Sequence, residues 1–215
     1  MINISKRSQP SELIQYKKQK GAVFDGPNFT PIKNVVRSSL AKEQGYLCAY
    51  CMKSIKDDSQ STKVEHWFSQ KKFPNQQLDY KNLLLVCLGN KGQPEKNEHC
   101  DTKKGNDNLH FNPSDSNHDV ESKIRYFGNG KIGFYNDPKM ENDIKTLNLN
   151  EFSLVNKRKA ILDGIMAGLN RKPGPRSGAE IEKKLEAWMS KKDERLVEFC
   201  GVAIYYLRNK LLKLV

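Results

Sequence analysis

The stretch Cys48-Ala-Tyr-Cys51 constrains this chain more than any other. Two thiols separated by two residues are what one tight turn offers to a single tetrahedral metal ion. The alternative use of paired cysteines, a disulfide, fits the rest of the sequence poorly. The total is five, so one thiol is always left over, and nothing marks the chain for an oxidising compartment. The opening "MINISKRSQPSELIQYKK" is polar throughout, and no later run approaches the ~18 apolar residues of a membrane span. The expectation is a cytoplasmic protein with no membrane partner, in which cysteines hold metal. At 215 residues the chain can bury a core without cross-links, so a metal here is a local clamp and not the whole fold.

A clamp needs a second pair. Cys87 and Cys100 are nearby and bracketed by loop, although twelve residues separate them, looser than a zinc ribbon prefers. His99 is the substitute for Cys100, but two adjacent residues seldom face one ion. Cys200 falls in an apolar helical stripe and reads as a small buried hydrophobe. Four thiolates leave zinc closed to water and substrate, so Cys48, Cys51, Cys87 and Cys100 as a set can brace chemistry without performing it.

Chemistry then falls to what stands between and beside the pairs: Glu65, His66, Asn82 and Asp101. Phosphodiester hydrolysis requires a base for water and a divalent cation for the charge on the phosphate. His66 can be the base; Glu65 and Asp101 are hard oxygen ligands suited to Mg²⁺ or Mn²⁺. Each also has an ordinary use, Asn82 in closing a turn and Asp101 as a helix N-cap. "KVEHWF" reads as a short strand, on which Glu65 and His66 point to opposite faces unless the strand ends or twists there. Lys104, one turn beyond Asp101, reads as an exposed solubilising lysine, with a phosphate contact as the alternative. His110 and His118 receive no role.

Organisation follows periodicity. Ile32, Val35, Val36 and Leu40 mark a helix that Gly45 stops; "LDYKNLLLVC" leads a loop into an apolar strand; 101–105 starts a short helix; "IRYFGNGKIGFYND" is a hairpin. From Ser153 three helical stripes follow, the third including Leu196, Phe199, Ala203, Leu207 and Leu211, with a mobile turn expected from Lys172 to Gly178. The segments are 1–47, 48–112, 113–152 and 153–215. The net charge of +12 is uneven: 1–47 holds 8 basic and 3 acidic residues, 48–152 holds 15 of each, and 153–215 holds 14 and 7. Basic flanks around a neutral centre suit a polyanion such as nucleic acid.

"CAYC", "VEHWFSQ", "LDYKNLLLVC" and "HCDTKKGN" together resemble an HNH endonuclease. "LAKEQGYLCAYC", "LHFNPSDS", "IRYFGNGKIGFYN" and "TLNLNEFSLVNKRKAIL" are similar to the retron- and Septu-associated members, the PtuB type, of bacterial anti-phage defence. The resemblance spans the N-terminus to about residue 165. It implies an α+β fold with a zinc-braced ββα-metal core, an N-terminal helix, a small hairpin and a helical C-terminal region. It also implies His66 as general base, Glu65 and Asp101 as ligands of the catalytic ion, Asn82 as the tie that aims the base, and Cys48, Cys51, Cys87 and Cys100 on structural zinc. Asp101 stands where the family often has His or Asn. Implied partners are DNA, or RNA such as tRNA, a PtuA-type ATPase, and a retron reverse transcriptase with its RNA–DNA product. The rival reading is a zinc-ribbon nucleic-acid-binding or adaptor module without catalysis.

Overall fold

The computed structural model describes residues 1–171 and 174–214. Helix α1 (Ser11–Lys17) precedes α2 (Phe29–Glu43), which buries Phe29, Val36 and Leu40, seven and four residues apart and so on one face. At Gly45 the chain turns left-handed with φ +61°, a conformation that favours glycine, and Leu196 closes over it so tightly that a Cβ would lie 2.7 Å from its side chain. The chain then enters the Cys48–Cys51 turn, closed by Met52 N–H donating to the Cys48 carbonyl at 3.0 Å.

Strands β1 (Thr62–His66) and β2 (Leu83–Cys87) pair antiparallel, with Glu65 opposite Leu84 and His66 opposite Leu83. Every residue of β2 is buried, because α2 packs on the hairpin and α3 (Cys100–Lys104) also packs on β2. This explains the continuous run Leu-Leu-Leu-Val-Cys in place of an alternating pattern. The outer edge of β2 is not left open: the Gln44 amide exchanges two hydrogen bonds with Leu85, and Ala49 N–H donates to the Leu85 carbonyl.

A single turn α4 (Val120–Lys123) leads into the hairpin β3 (Ile124–Tyr126) and β4 (Ile132–Phe134), and α5 (Pro138–Thr146) follows. The last segment holds α6 (Phe152–Asn170), α7 (Gly178–Met189) and α8 (Cys200–Leu212), with α8 packed on α6, α7 and β3. The third expected stripe is shorter than its sequence pattern. Leu196 and Phe199 precede α8, because Phe199 adopts φ +56° and its N–H closes on the Met52 carbonyl at 3.0 Å. In the break expected from Lys172 to Gly178, residues 172 and 173 lie outside the described residues. Among the described residues no helix is long and apolar enough to cross a membrane. One core cluster runs from Met1 to Ile204 and draws on the N-terminal helices, the hairpins and α8 alike.

Candidate active site beside a four-cysteine cluster

The four thiols converge. The Sγ atoms of Cys48, Cys51, Cys87 and Cys100 all lie within 4.8 Å of one another, with Cys48 and Cys100 at 3.8 Å, Cys51 and Cys87 at 3.7 Å, and Cys87 and Cys100 at 3.9 Å. Zinc–sulfur bonds of about 2.3 Å in a tetrahedron place neighbouring sulfurs about 3.8 Å apart, so the set has the size of a zinc site. Burial pushes the Cys51 and Cys100 thiols well up, while hydrogen bonds from Cys100, Cys48 and Cys51 pull Cys87 down. Thiols packed this closely ionise together only around a cation.

The twelve-residue stretch between Cys87 and Cys100 does not hold the two apart because it is pinched at its base. His99 N–H donates to the Gly89 carbonyl at 2.9 Å, Thr102 Oγ1 donates to the Leu88 carbonyl at 2.7 Å, and Asn148 Nδ2 reaches the carbonyls of Lys96 and Glu98. Gly89 sits at φ +57°, where a Cβ would be 1.9 Å from the His99 carbonyl oxygen. Cys100 itself is left-handed at φ +55°, a costly backbone for a non-glycine residue that here accompanies its place in the cluster. His99 is buried with Nδ1 3.1 Å from Cys100 Sγ, a partner of the fourth thiol and not its replacement.

Beside the cluster lie two carboxyl groups. Lys63 and Glu65 share one face of β1 and look onto α3, bringing Glu65 within hydrogen-bond reach of Asp101, the residue after Cys100. Tyr50, inside the cysteine turn, donates to Glu65 Oε1 at 3.3 Å and so ties cluster to carboxyl. Burial, then the neighbouring Asp101, holds the Glu65 carboxyl well above the usual range. Burial acts the same way on Asp101, but the hydrogen bond with Glu65 and the Lys63 ammonium outweigh it and leave that carboxyl low. The two neighbours are thus pushed in opposite directions, Glu65 up and Asp101 down.

Lys104 corrects the sequence expectation of an exposed side chain. It is 2 % exposed, with Nζ 2.5 Å from Glu65 Oε1 and 2.8 Å from the His66 carbonyl. Lys63 likewise reaches Asp101 Oδ2 at 3.0 Å and Thr102 Oγ1 at 2.9 Å. Both lysines had a signal in the sequence, Lys63 at strand period two from Glu65 and Lys104 one helical turn from Asp101.

His66 faces the other way. Its Nε2 lies 2.9 Å from the Gln77 carbonyl, and Phe24 stacks edge-on with ring centroids 4.4 Å apart. Donation from Nε2 to that carbonyl leaves Nδ1 as the unprotonated nitrogen. Strand alternation thus separates His66 from the carboxyl pair, and the two faces meet only at the strand's end, where β1 stops at His66. Asn82 ties down the intervening loop: Oδ1 accepts from Phe68 N–H at 2.7 Å, and Nδ2 donates to the carbonyls of Phe68 and Gln76, each at 3.1 Å. Gln77, whose carbonyl holds His66, is the next residue after that tie.

Two relatives match about half of the chain. The chain is 30% identical over 120 residues to a Vibrio cholerae serotype O1 biovar El Tor protein named "Retron Vc95 putative HNH endonuclease", covering 53% of this chain and 57% of that one. It is 26% identical over 106 residues to the Septu protein PtuB of Bacillus thuringiensis, covering 49% and 37%. The chain is related to these two proteins. The likeness is partial, since the matched region spans 57% and 37% of the two relatives' lengths. No family model matches the chain.

Proposed function

We propose that the chain is a metal-dependent HNH endonuclease that hydrolyses nucleic-acid phosphodiester bonds. The meeting of Glu65 and Asp101 beside a four-thiol cluster, at the end of a hairpin and the start of a short helix, carries this reading. In it, zinc occupies the thiols as a brace, and the hairpin with α3 is the ββα-metal unit. Glu65 and Asp101 would hold Mg²⁺ or Mn²⁺; such an ion supplies neutralising charge for the scissile phosphate and the leaving oxygen. In this reading the strand to be cut lies across the end of β1, beside Asp101, the least buried of the named carboxyl and imidazole groups. His66, fixed by the Gln77 carbonyl and presenting Nδ1, takes the proton from water. Asn82 holds the loop that supplies Gln77. Tyr50 and Lys104 position Glu65.

The names of the relatives extend the proposal to a bacterial anti-phage system of Septu or retron type, acting in the cytoplasm with a PtuA-type ATPase or a reverse transcriptase and its RNA–DNA product. DNA and RNA, tRNA included, are both open to the chemistry, because the groups named address a phosphodiester and not the sugar. One observation favours the non-catalytic adaptor reading: Lys104 and Lys63 already match both carboxyls. Cleavage decides between them. Purified protein and His66→Ala are incubated with labelled DNA and RNA, with and without Mn²⁺. The expected result is metal-dependent cleavage by the unaltered chain, reduced at least ~100-fold in a folded His66→Ala. Undiminished cleavage by the variant would remove the base, and cleavage by neither protein would favour the adaptor.

A further inference from the structure

Arg37, on α2, is buried without a counter-ion. It is 5 % exposed; Nη1 donates to Asn34 Oδ1 at 2.6 Å, and Nε has no hydrogen-bond partner. The carboxylates near α2 are engaged elsewhere, Asp25 with Lys33 and Glu43 with Lys6, and among the described residues none pairs with Arg37. Burying a guanidinium without a counter-ion is costly, and the neutral Asn34 amide offsets that cost only in part. An anion from outside would offset the rest.

The surroundings say which anion. Lys33 is one helical turn before Arg37, on the same side of α2. Its ammonium sits 4.9 Å from the Phe24 ring, the ring that stacks on His66. Lys33 is thus linked through Phe24 to His66 at the end of β1, and the segment 1–47 carries 8 basic against 3 acidic residues. A guanidinium fork is matched to the paired oxygens of a phosphodiester, and a nucleic-acid strand presents such groups in a row to which Lys33 and Arg37 can both contribute. We propose that Arg37 is a phosphate-binding residue for the strand cut at this site, its buried charge held ready for that contact. The inference rests on the nuclease reading and deepens it by naming how the substrate is gripped.

The test measures binding and stability apart from cleavage. Fluorescence anisotropy with labelled single- and double-stranded oligonucleotides, in EDTA over a series of salt concentrations, compares the unaltered protein with Arg37→Met, Arg37→Lys and the exposed control Lys139→Met; thermal melts are recorded without nucleic acid. Expected for Arg37→Met is affinity about tenfold weaker, a salt slope shallower by about one ion, and a Tm equal to or above that of the unaltered chain. Arg37→Lys, which keeps charge but loses the fork, falls between, and Lys139→Met binds as the unaltered chain does. Equal binding by Arg37→Met and the unaltered chain overturns the proposal, and so does a lowered Tm in both Arg37 variants, because that marks a structural partner. If the unaltered protein binds neither probe, the nucleic-acid reading falls and takes this one with it.

Discussion

Burial holds the His66 imidazole below its ordinary pKa of 6.5, against the opposing pull of the Gln77 carbonyl. The folded chain therefore declines a proton that the unfolded chain accepts, and stability falls as pH drops below 6.5, levelling out beneath the folded-state value. Urea midpoints of the unaltered chain and His66→Asn, taken between pH 8 and pH 5, are expected to differ by an amount that changes through this window. A difference that stays flat would show that His66 is not held neutral. The same neutrality at pH 7 is what a base for water requires. Glu65 and Asp101 were legible because each neighbours a recognisable landmark, a strand histidine and a cluster cysteine. The burial of Lys104 was not legible, since a lysine among "DTKKG" looks solvated until a carboxyl is placed beneath it.

At the scale of elements, the loop between Cys87 and Cys100 decides whether the fourth thiol arrives. Its closure depends on Gly89, where a side chain would collide with the His99 backbone at a φ that disfavours one. Gly89→Ala is expected to cost about 2–4 kcal/mol and to lower metal retention, measured by urea denaturation and by metal analysis after dialysis. A variant that keeps both would show that the loop closes without the glycine. Helix α2 was readable from periodicity, because it shows one face to the core, and β1, β2 and the 124–134 hairpin from short apolar runs bounded by turn residues. The start of α8 was not. The apolar spacing of Leu196 and Phe199 continues a helical stripe, but a left-handed Phe199 bonded to Met52 interrupts it, and no local pattern encodes a contact 147 residues distant. The pinched loop was hidden for the same reason: Asn148 closes it from outside the run of cysteines.

At the scale of the molecule, the four thiols join pieces that are far apart in sequence: the turn after α2, the end of β2 and the start of α3. On the zinc reading, Cys51→Ser releases the ion and lowers Tm by on the order of 10 °C, because structural zinc contributes folding energy directly. Metal analysis and calorimetry check this, and unchanged zinc content would refute the clamp. The cluster is in turn sewn to the far end of the chain. Leu196 N–H meets the Gly45 carbonyl at 3.0 Å, and Phe199 N–H meets that of Met52. Those two stitches flank the cysteine turn and lie just ahead of α8, so a force that tugs the last helix outward reaches that turn directly through the backbone. Whatever grasps that end of the protein has a handle on the four thiols.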